Sequence, residues 1–205
     1  MNYNLLMEEE LQKLSSKKNL LLHACCAPCS TEVLERLMPY FEITILYYNP
    51  NITESEEYQK RLEEMINFAK IKGIEVIEGE YCPSAFLKLV EPVKDLKEGS
   101  KRCYLCYQHR LLYTAKYAHE NNFDYFTTTL SISPYKNANW LNEIGSQLSK
   151  TFNISYLYAD FKKKDGYKHS IKLAKEYDLY RQDYCGCLYS KKENEAKHLL
   201  NQKEE

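Results

Sequence analysis

The sequence predicts an α/β protein of three layers, α/β/α, with a mostly parallel five-stranded sheet covered by helices on both faces. Short segments rich in apolar and β-branched residues alternate along the chain with longer segments of helical periodicity. Such alternation is typical of parallel sheets, because parallel strands are joined by crossover helices. The 205 residues, of which 44% are hydrophobic, suffice to bury a core without disulfides. We therefore expect one domain over residues 1–205.

The first half of the chain begins with a helix and then alternates strands with helices. The predicted elements are a helix at 5–14, a strand at 20–24, a helix at 31–37, a strand at 42–48, a helix at 53–71 and a strand at 74–77. Ser30 or Thr31 is the predicted N-cap of the helix at 31–37, and Thr53 with Glu56 forms a predicted capping box for the next helix. Gly73 is expected to end that helix.

The second half continues this alternation. Its predicted elements are helices at 85–90 and 103–120, a strand at 125–129, a helix from about 139, a weak strand at 154–158, and helices at 170–177 and 191–200. In the long helix at 103–120, the residues expected to face the core are Leu111, Leu112, Ala115 and Ala118. Residues three and seven apart lie near one helix face, so another edge is predicted to carry Cys103, Cys106 and Arg110.

The charge balance excludes few functions. The formal net charge of −1 gives no overall electrostatic case for nucleic acid, so RNA binding must depend on local basic patches. No segment approaches the roughly 18 apolar residues of a membrane span, and residues 1–10 lack the basic and apolar regions of a signal peptide. We therefore expect a cytoplasmic protein with no membrane partner.

Eight cysteines are the most informative feature of the composition. Cytosolic thiols are kept reduced, so metal binding or redox catalysis explains them better than structural disulfides. Seven of them lie in three tight groups, which are Cys25, Cys26 and Cys29; Cys103 and Cys106; and Cys185 and Cys187. Cys82 stands alone and is expected to be a small buried apolar residue.

The first cysteine group follows the apolar run 20–22, where a strand gives way to a helix. The segment His23-Ala24-Cys25-Cys26-Ala27-Pro28-Cys29-Ser30 therefore places three thiols at the carboxyl end of a strand, where open α/β proteins bind their ligands. The N-terminus of the following helix lowers the pKa of nearby thiols and favours thiolates. Thiolates are metal ligands and nucleophiles.

The other two groups add four thiols. Cys103-x-x-Cys106 is compatible with zinc, an iron–sulfur cluster or a dithiol redox pair. In Cys185-Gly186-Cys187, an extended backbone would point both thiols the same way, and the glycine would let the backbone approach a bulky group. Seven converging thiols exceed the four that structural zinc requires. An iron–sulfur enzyme is therefore the favoured interpretation, with structural zinc and a dithiol oxidoreductase as alternatives.

The three groups, in this order, resemble epoxyqueuosine reductases of the QueH type. The segments that carry the resemblance are His23 to Ser30; Tyr48-Asn49-Pro50-Asn51-Ile52 with Glu57-Tyr58 and Arg61; Arg102-Cys103-x-x-Cys106-Tyr107-x-x-Arg110; Thr128-Thr129-Leu130 with Ser133-Pro134-Tyr135-Lys136; and Tyr180-Arg181-Gln182-x-Tyr184-Cys185-Gly186-Cys187-x-Tyr189-Ser190. They extend from about residue 20 to residue 190.

This resemblance implies a fold similar to the adenine nucleotide α-hydrolase (HUP-like) group. It also implies a 4Fe-4S cluster beside a second mononuclear metal, iron or zinc, held by cysteines and in some members by an aspartate, which some relatives have at the position of Cys29. The implied reaction reduces the epoxide of epoxyqueuosine in tRNA to the cyclopentene of queuosine, the last step of that modification. The electron donor is not identified by the sequence. The implied metal ligands are Cys25, Cys26, Cys29, Cys103, Cys106, Cys185 and Cys187.

The seven thiols are expected to divide between the two metals. Because adjacent side chains on an extended backbone point in different directions, Cys25 and Cys26 are predicted to serve different metals. One would join the cluster ligands, and the other, with Cys29, would hold the second metal facing the substrate. Cys26 and Cys29 are the candidate catalytic residues. The candidate RNA-binding residues are Arg102, Tyr107, Arg110, Tyr135 and Lys136, with Lys101, Lys168 and residues 162–164 as further surface cations.

Two alternative functions belong to other classes. A related ATP-dependent tRNA thiolase would need a phosphate loop rich in glycine and serine after the first strand, whereas this chain has Cys-Cys-Ala-Pro-Cys there. A zinc-binding protein that interacts with RNA and has no catalytic activity would carry zinc without iron or sulfide.

Overall fold

The computed structural model describes residues 1–201 and contains a parallel sheet of five strands. The strands are β1 (Lys18–His23), β2 (Phe41–Tyr47), β3 (Glu75–Glu78), β4 (Tyr125–Thr128) and β5 (Ser155–Tyr156). Their spatial order is β3-β2-β1-β4-β5, and every neighbouring pair is parallel. The five predicted strands are confirmed, with small shifts at their ends.

Helices cover both faces of this sheet. They are α1 (Tyr3–Lys13), α2 (Ala27–Leu37), α3 (Ser55–Lys72), α4 (Pro83–Val90), α5 (Lys101–Glu120), α6 (Ala138–Phe152), α7 (Gly166–Glu176) and α8 (Leu188–Asn201). Leu20 and Leu22 of β1 pack with α1, α2 and α3, whereas Leu21 packs with α4, α5 and α6. This alternation confirms the three-layer α/β/α arrangement. Within residues 1–201, no helix is long and apolar enough to cross a membrane.

Both predicted N-caps are wrong. Helix α2 begins at Ala27, because Pro28 suits the first helical turn, and the N-cap residue is Cys26. Ser30 lies inside the helix and donates a hydrogen bond to the Cys26 carbonyl, and Thr31 likewise donates to a carbonyl one turn back. Glu54, not Thr53, occupies the N-cap position of α3.

Two predictions about helix ends and faces have different outcomes. Gly73 ends α3 as predicted, with φ of 68°, the left-handed conformation that glycine adopts without steric cost. The core-facing set on α5 is confirmed for Leu111, Ala115 and Ala118, which are buried. Leu112 is 43% exposed and was wrongly assigned, because adjacent helical residues lie about 100° apart around the axis.

Gly145 of α6 packs directly against the ring of Tyr156 in β5. A Cβ atom at this position would clash with the Tyr156 ring, so Gly145→Ala is expected to lower the free energy of unfolding by about 1–3 kcal/mol through overpacking. Urea denaturation measures this change. Glu143→Ala, at an exposed position of the same helix, is the control and should change stability by less than about 0.5 kcal/mol. Equal stability of the two variants would contradict the packing.

Candidate metal centre

The site lies at the carboxyl ends of the two central strands. From β1 the chain proceeds to β2 and β3 on one side and then returns to β4 on the other side, so a crevice forms between the ends of β1 and β4. The first cysteine group follows β1, and Thr129 follows β4. The Cys25 Sγ atom lies 3.8 Å from the Thr129 hydroxyl oxygen. The first cysteine group therefore occupies the crevice predicted for it.

Cys25, Cys26 and Cys29 form a thiol triad whose sulfur atoms all lie within 4.8 Å of one another. The Cys25 and Cys26 sulfurs are 3.7 Å apart, so the prediction that these adjacent thiols diverge is wrong. The reason is the early start of α2. Cys26 is the N-cap and Cys29 the third helical residue, and side chains at these two positions face each other, as in a capping box.

The three thiols of the triad share their protons unequally. Hydrogen bonds from Cys26 and Cys29 hold the pKa of the Cys25 thiol well below its ordinary value. The same interaction with Cys25 raises the pKa of Cys26 to about 12 and raises that of Cys29 well above its ordinary value. Neighbouring thiolates repel one another, so the triad holds its remaining protons unless a cation replaces them. This behaviour is typical of a metal-binding thiol cluster.

The remaining four clustered cysteines form a separate group, the thiol quartet. Cys103 and Cys106 of α5 and Cys185 and Cys187 of the turn before α8 line one small cavity of about 20 Å³. Burial raises the pKa of Cys103, raises that of Cys106 to about 11 and raises that of Cys187 to about 12. The prediction that both thiols of the Cys-Gly-Cys turn point the same way is supported, because both line this cavity.

Gly186 shapes this turn differently from the prediction. Its φ is +100°, a conformation that favours glycine, and a Cβ atom there would lie 2.9 Å from Ile52 and 3.1 Å from the Arg61 guanidinium. The close approach is therefore to the protein's own side chains. Arg61 is buried, pairs with Glu57 and donates a hydrogen bond of 3.4 Å to the Cys185 carbonyl. These contacts fix the turn beside the N-terminal part of α3.

Arg110 is a buried cation between the triad and the quartet. Burial alone would lower its pKa, but its interactions with the Cys106 and Cys25 thiols outweigh that effect. Its guanidinium donates to the Asn49 side-chain oxygen, and its Nε atom lies 3.3 Å from a ring nitrogen of His23. His23 is fully buried, and burial together with the charge of Arg110 lowers its pKa to about 3, so its ring is neutral.

The charge of Arg110 has no carboxylate to balance it in the part of the chain that the structure describes. Arg61 and Arg102 are also buried, and they pair with Glu57 and Glu193 respectively. Among the ion pairs within residues 1–201, none involves Arg110. A buried charge is costly unless it is compensated, so Arg110 indicates that its thiol neighbours carry negative charge.

A second, larger cavity of about 350 Å³ opens from the triad to the surface. Cys25, Cys29 and Arg110 line its inner part, and Tyr135, Arg181 and other exposed residues line its mouth. Sequence reasoning assigned no role to a further residue of this cavity, Gln182, whose buried side-chain oxygen has no hydrogen-bond partner within residues 1–201. Gln182 lies in the segment that carries the family resemblance, and that segment was the available signal.

Most of the predicted RNA-binding side chains do not form an exposed surface. Four are buried, namely Arg102, Tyr107, Arg110 and Lys136. Arg102 and Lys136 pair with the partly buried carboxylates of Glu193 and Glu98, and Arg110 lies beside buried thiols, which explains why these cations face inward. Tyr135 is 75% exposed and stands at the mouth of the larger cavity. Of the further surface cations, the Lys162, Lys164 and Lys168 side chains each pair with a carboxylate.

Cys82 does not match its prediction either. All eight cysteines are free thiols, and Cys82 is only partly buried, with its sulfur 3.3 Å from the Ser84 hydroxyl. It precedes α4, where it occupies the N-cap position. It lines neither cavity, so it offers a control position for experiments on the other seven.

Comparison with known proteins identifies the family. The family model described as epoxyqueuosine reductase QueH matches residues 20–193, a range that includes both thiol groups. The chain belongs to the QueH family of epoxyqueuosine reductases. It is 38% identical over 200 residues to the QueH of Streptococcus pyogenes, covering 93% of this chain and 78% of that protein. It is 36% identical to the QueH of Thermotoga maritima, covering 87% of this chain and 93% of that protein. QueH proteins are oxidoreductases, and so is this chain.

Two solved structures share the fold of this QueH protein. One is a predicted subunit of a tRNA methyltransferase from Methanocaldococcus jannaschii, with a TM-score of 0.50, 15% identity, and coverage of 77% of this chain and 76% of that one. The other is the U34-tRNA thiolase NcsA of Methanococcus maripaludis with its 4Fe-4S cluster. Its TM-score is 0.55 and its identity 12%, and the match covers 88% of this chain and 64% of that one. These likenesses confirm the predicted HUP-like fold.

Proposed function

We propose that this chain reduces the epoxide of epoxyqueuosine in the anticodon loop of tRNA to the cyclopentene of queuosine. The observation that best supports this function is the larger cavity, because a volume of about 350 Å³ suits one extruded modified base and its inner part is lined by Cys25, Cys29 and Arg110. A base bound there would bring its epoxide to the thiol triad. The enzyme would act in the cytoplasm, where its thiols stay reduced.

The two thiol groups suit two different metal centres. The quartet supplies four thiols, the usual ligand set of a 4Fe-4S cluster, and we assign the cluster to it. The triad supplies three thiols that face the larger cavity, which suits a mononuclear iron or zinc with an open position toward the substrate. This assignment differs from the sequence-based one, because Cys25 and Cys26 now serve the same metal.

Unpartnered polar groups beside the quartet support a cluster there. The Tyr107 hydroxyl and the Asn51 side-chain oxygen are buried, and no hydrogen-bond partner exists for either within residues 1–201. Both residues line the smaller cavity. A hydroxyl is a suitable donor to cluster sulfur. The cavity must widen around a cluster, and the Cys185–Cys187 turn, like Asn51, Glu98 and Lys136 in the same wall, belongs to neither a strand nor a helix.

The reaction consumes two electrons and two protons, breaks both C–O bonds of the epoxide and releases the oxygen as water. When bound, the cluster would supply electrons one at a time from a low-potential donor, and the second metal would act as a Lewis acid. Arg110 balances the negative charge of the thiolates on both sides of it. His23, kept neutral by burial, orders this region through a contact of 2.8 Å with the Thr128 hydroxyl.

The mouth of the larger cavity offers contacts for the RNA around the target base. Tyr135 and Arg181 are exposed there, and Tyr167 and Lys197 line the same cavity. Aromatic rings stack on unpaired bases, and cations bind the phosphates of single-stranded loops. This set replaces most of the surface predicted from the sequence.

Tyr135→Ala is expected to weaken binding of an anticodon stem-loop by about 1–3 kcal/mol, because an exposed ring at the cavity mouth is lost as a stacking platform. Fluorescence anisotropy under anaerobic conditions measures the change in Kd. Tyr40→Ala is the matched control, since Tyr40 is also exposed but lines neither cavity. If both variants bound the RNA equally well, Tyr135 would have no role in binding.

The experiment that tests the proposed function is an anaerobic assay of the protein reconstituted with iron and sulfide. Substrates are a tRNA anticodon stem-loop that contains epoxyqueuosine and the free nucleoside, with a low-potential reductant. We expect mass spectrometry to detect the loss of one oxygen from the stem-loop substrate, and a slower reaction with the nucleoside. A protein that binds zinc and RNA but never reduces the epoxide would overturn the proposal.

A further inference from the structure

The two cavities share a wall. Among residues 1–201, three residues line both the larger cavity and the smaller one, and they are Glu98, Lys136 and Cys185. One face of this wall lines the larger cavity, and the other face lines the smaller cavity beside the thiol quartet. Any group in this wall is therefore in reach of both the proposed cluster and the proposed substrate.

Hydrogen bonds connect the three residues into a closed ring. The Lys136 ammonium donates to the Cys185 sulfur at 2.9 Å and to the Glu98 carboxylate at 3.2 Å. The other Glu98 oxygen accepts from the Ser190 hydroxyl at 3.0 Å, and the Ser190 oxygen accepts from the Cys185 backbone N–H at 3.1 Å. The ring therefore fixes the ammonium and the Cys185 backbone relative to each other.

Lys136 has unused hydrogen-bonding capacity at this position. Its side chain is 8% exposed, and its ammonium makes two hydrogen bonds within residues 1–201. An ammonium carries three N–H donors, so one remains for a group in the larger cavity.

We propose that Lys136 is a further catalytic residue, whose third N–H donates a hydrogen bond to the epoxide oxygen as the C–O bond breaks. The lysine keeps its proton, and the two protons of the reaction come from water. Two electrons from the low-potential donor reduce the carbon as its C–O bond breaks, and the bonding pair moves onto the oxygen, where a fixed positive charge stabilises it. The electron pair on the reduced carbon then forms the double bond as the second C–O bond breaks, and the oxygen leaves as water with the two protons. The same ammonium stabilises the negative charge that an added electron would place on Cys185 and on the cluster that Cys185 would ligate. This inference rests on the proposed function.

Lys136→Met in the reconstituted full-length protein tests this role. We expect unchanged iron and sulfide content, a kcat lower by about a hundredfold, and a Kd for the stem-loop substrate that changes by less than about tenfold. Because a positive charge beside the cluster favours its reduced state, the midpoint potential should also become more negative. Lys72→Met is the matched control, since Lys72 is partly buried, donates a hydrogen bond to the Tyr177 hydroxyl and lines neither cavity.

The same assay of the wild-type protein distinguishes a failure of this inference from a failure of the proposed function. The proposed function fails if the wild-type protein does not reduce the epoxide. With an active wild type, a Lys136→Met variant that retains full kcat and an unchanged potential would overturn the role of Lys136. If the Met variant does not bind iron, Glu98→Gln replaces it, because it removes the carboxylate that orients the ammonium but leaves the charge beside Cys185. That variant should bind iron and lose about tenfold in kcat, and full kcat would overturn the role.

Discussion

Serine variants of the thiol triad are expected to lose epoxide reduction completely while they keep the visible absorption and EPR signal of an iron–sulfur cluster. Cys25, Cys26 and Cys29 hold the second metal in this account, and the quartet that holds the cluster is untouched by the change. A serine hydroxyl is a much poorer ligand than a thiolate for iron or zinc, so the mononuclear metal should be lost. Metal analysis, EPR and turnover of each variant measure these effects.

Serine variants of the quartet should behave differently. Replacing Cys103, Cys106, Cys185 or Cys187 removes a cluster ligand and is expected to abolish both the cluster signal and turnover. Cys82→Ser is the control and should retain both metals and full activity, because Cys82 lines neither cavity. If Cys25→Ser and Cys187→Ser lost the same metals and the same signals, the division into triad and quartet would be wrong.

Arg110→Met is expected to have a comparably large effect, with loss of most bound metal and at least a hundredfold lower turnover. Its guanidinium lies between the two thiol groups and has no carboxylate partner within residues 1–201, so its charge is the counterion of the thiolates. Removing a buried partner of hydrogen-bonded groups typically costs about 3–5 kcal/mol, and thiols without this cation should retain their protons. Iron and zinc analysis after anaerobic reconstitution measures the loss.

Arg36→Met controls for the removal of a largely buried arginine. Arg36 pairs with Glu32 of the same helix, donates a hydrogen bond to the Lys163 carbonyl and lines neither cavity. This variant should lose stability but keep its metal content and its turnover per folded molecule. An Arg110→Met protein with full metal content would show that the thiolates need no counterion at this position.

The sheet and the grouping of the thiols could be predicted from the sequence because both depend on local sequence patterns. Alternation of strand and helix periods fixes a parallel sheet, and cysteines that follow β1 must lie at its carboxyl edge. The length of that first turn could not be predicted. The sequence predicts Ser30 or Thr31 as the cap of α2, but Pro28 suits the first helical turn, so Cys26 is the cap and Cys29 faces it.

The roles of the cations were harder to predict. Arg102, Arg110 and Lys136 stand in a basic and aromatic context that is typical of an RNA-binding surface, yet all three are buried. Their partners Glu193, Asn49 and Glu98 are distant in the sequence and carry no local signal. Charge in a sequence indicates that a partner is needed, but only the tertiary structure decides whether that partner is a phosphate or a buried thiolate.

The most direct test of the two-centre account is a crystal structure of the anaerobically reconstituted protein with anomalous scattering data at the iron and zinc edges. We expect an iron cluster bonded to Cys103, Cys106, Cys185 and Cys187, and a separate single metal bonded to Cys25, Cys26 and Cys29. A single cluster with ligands from both groups, or zinc alone at the quartet, would contradict the account.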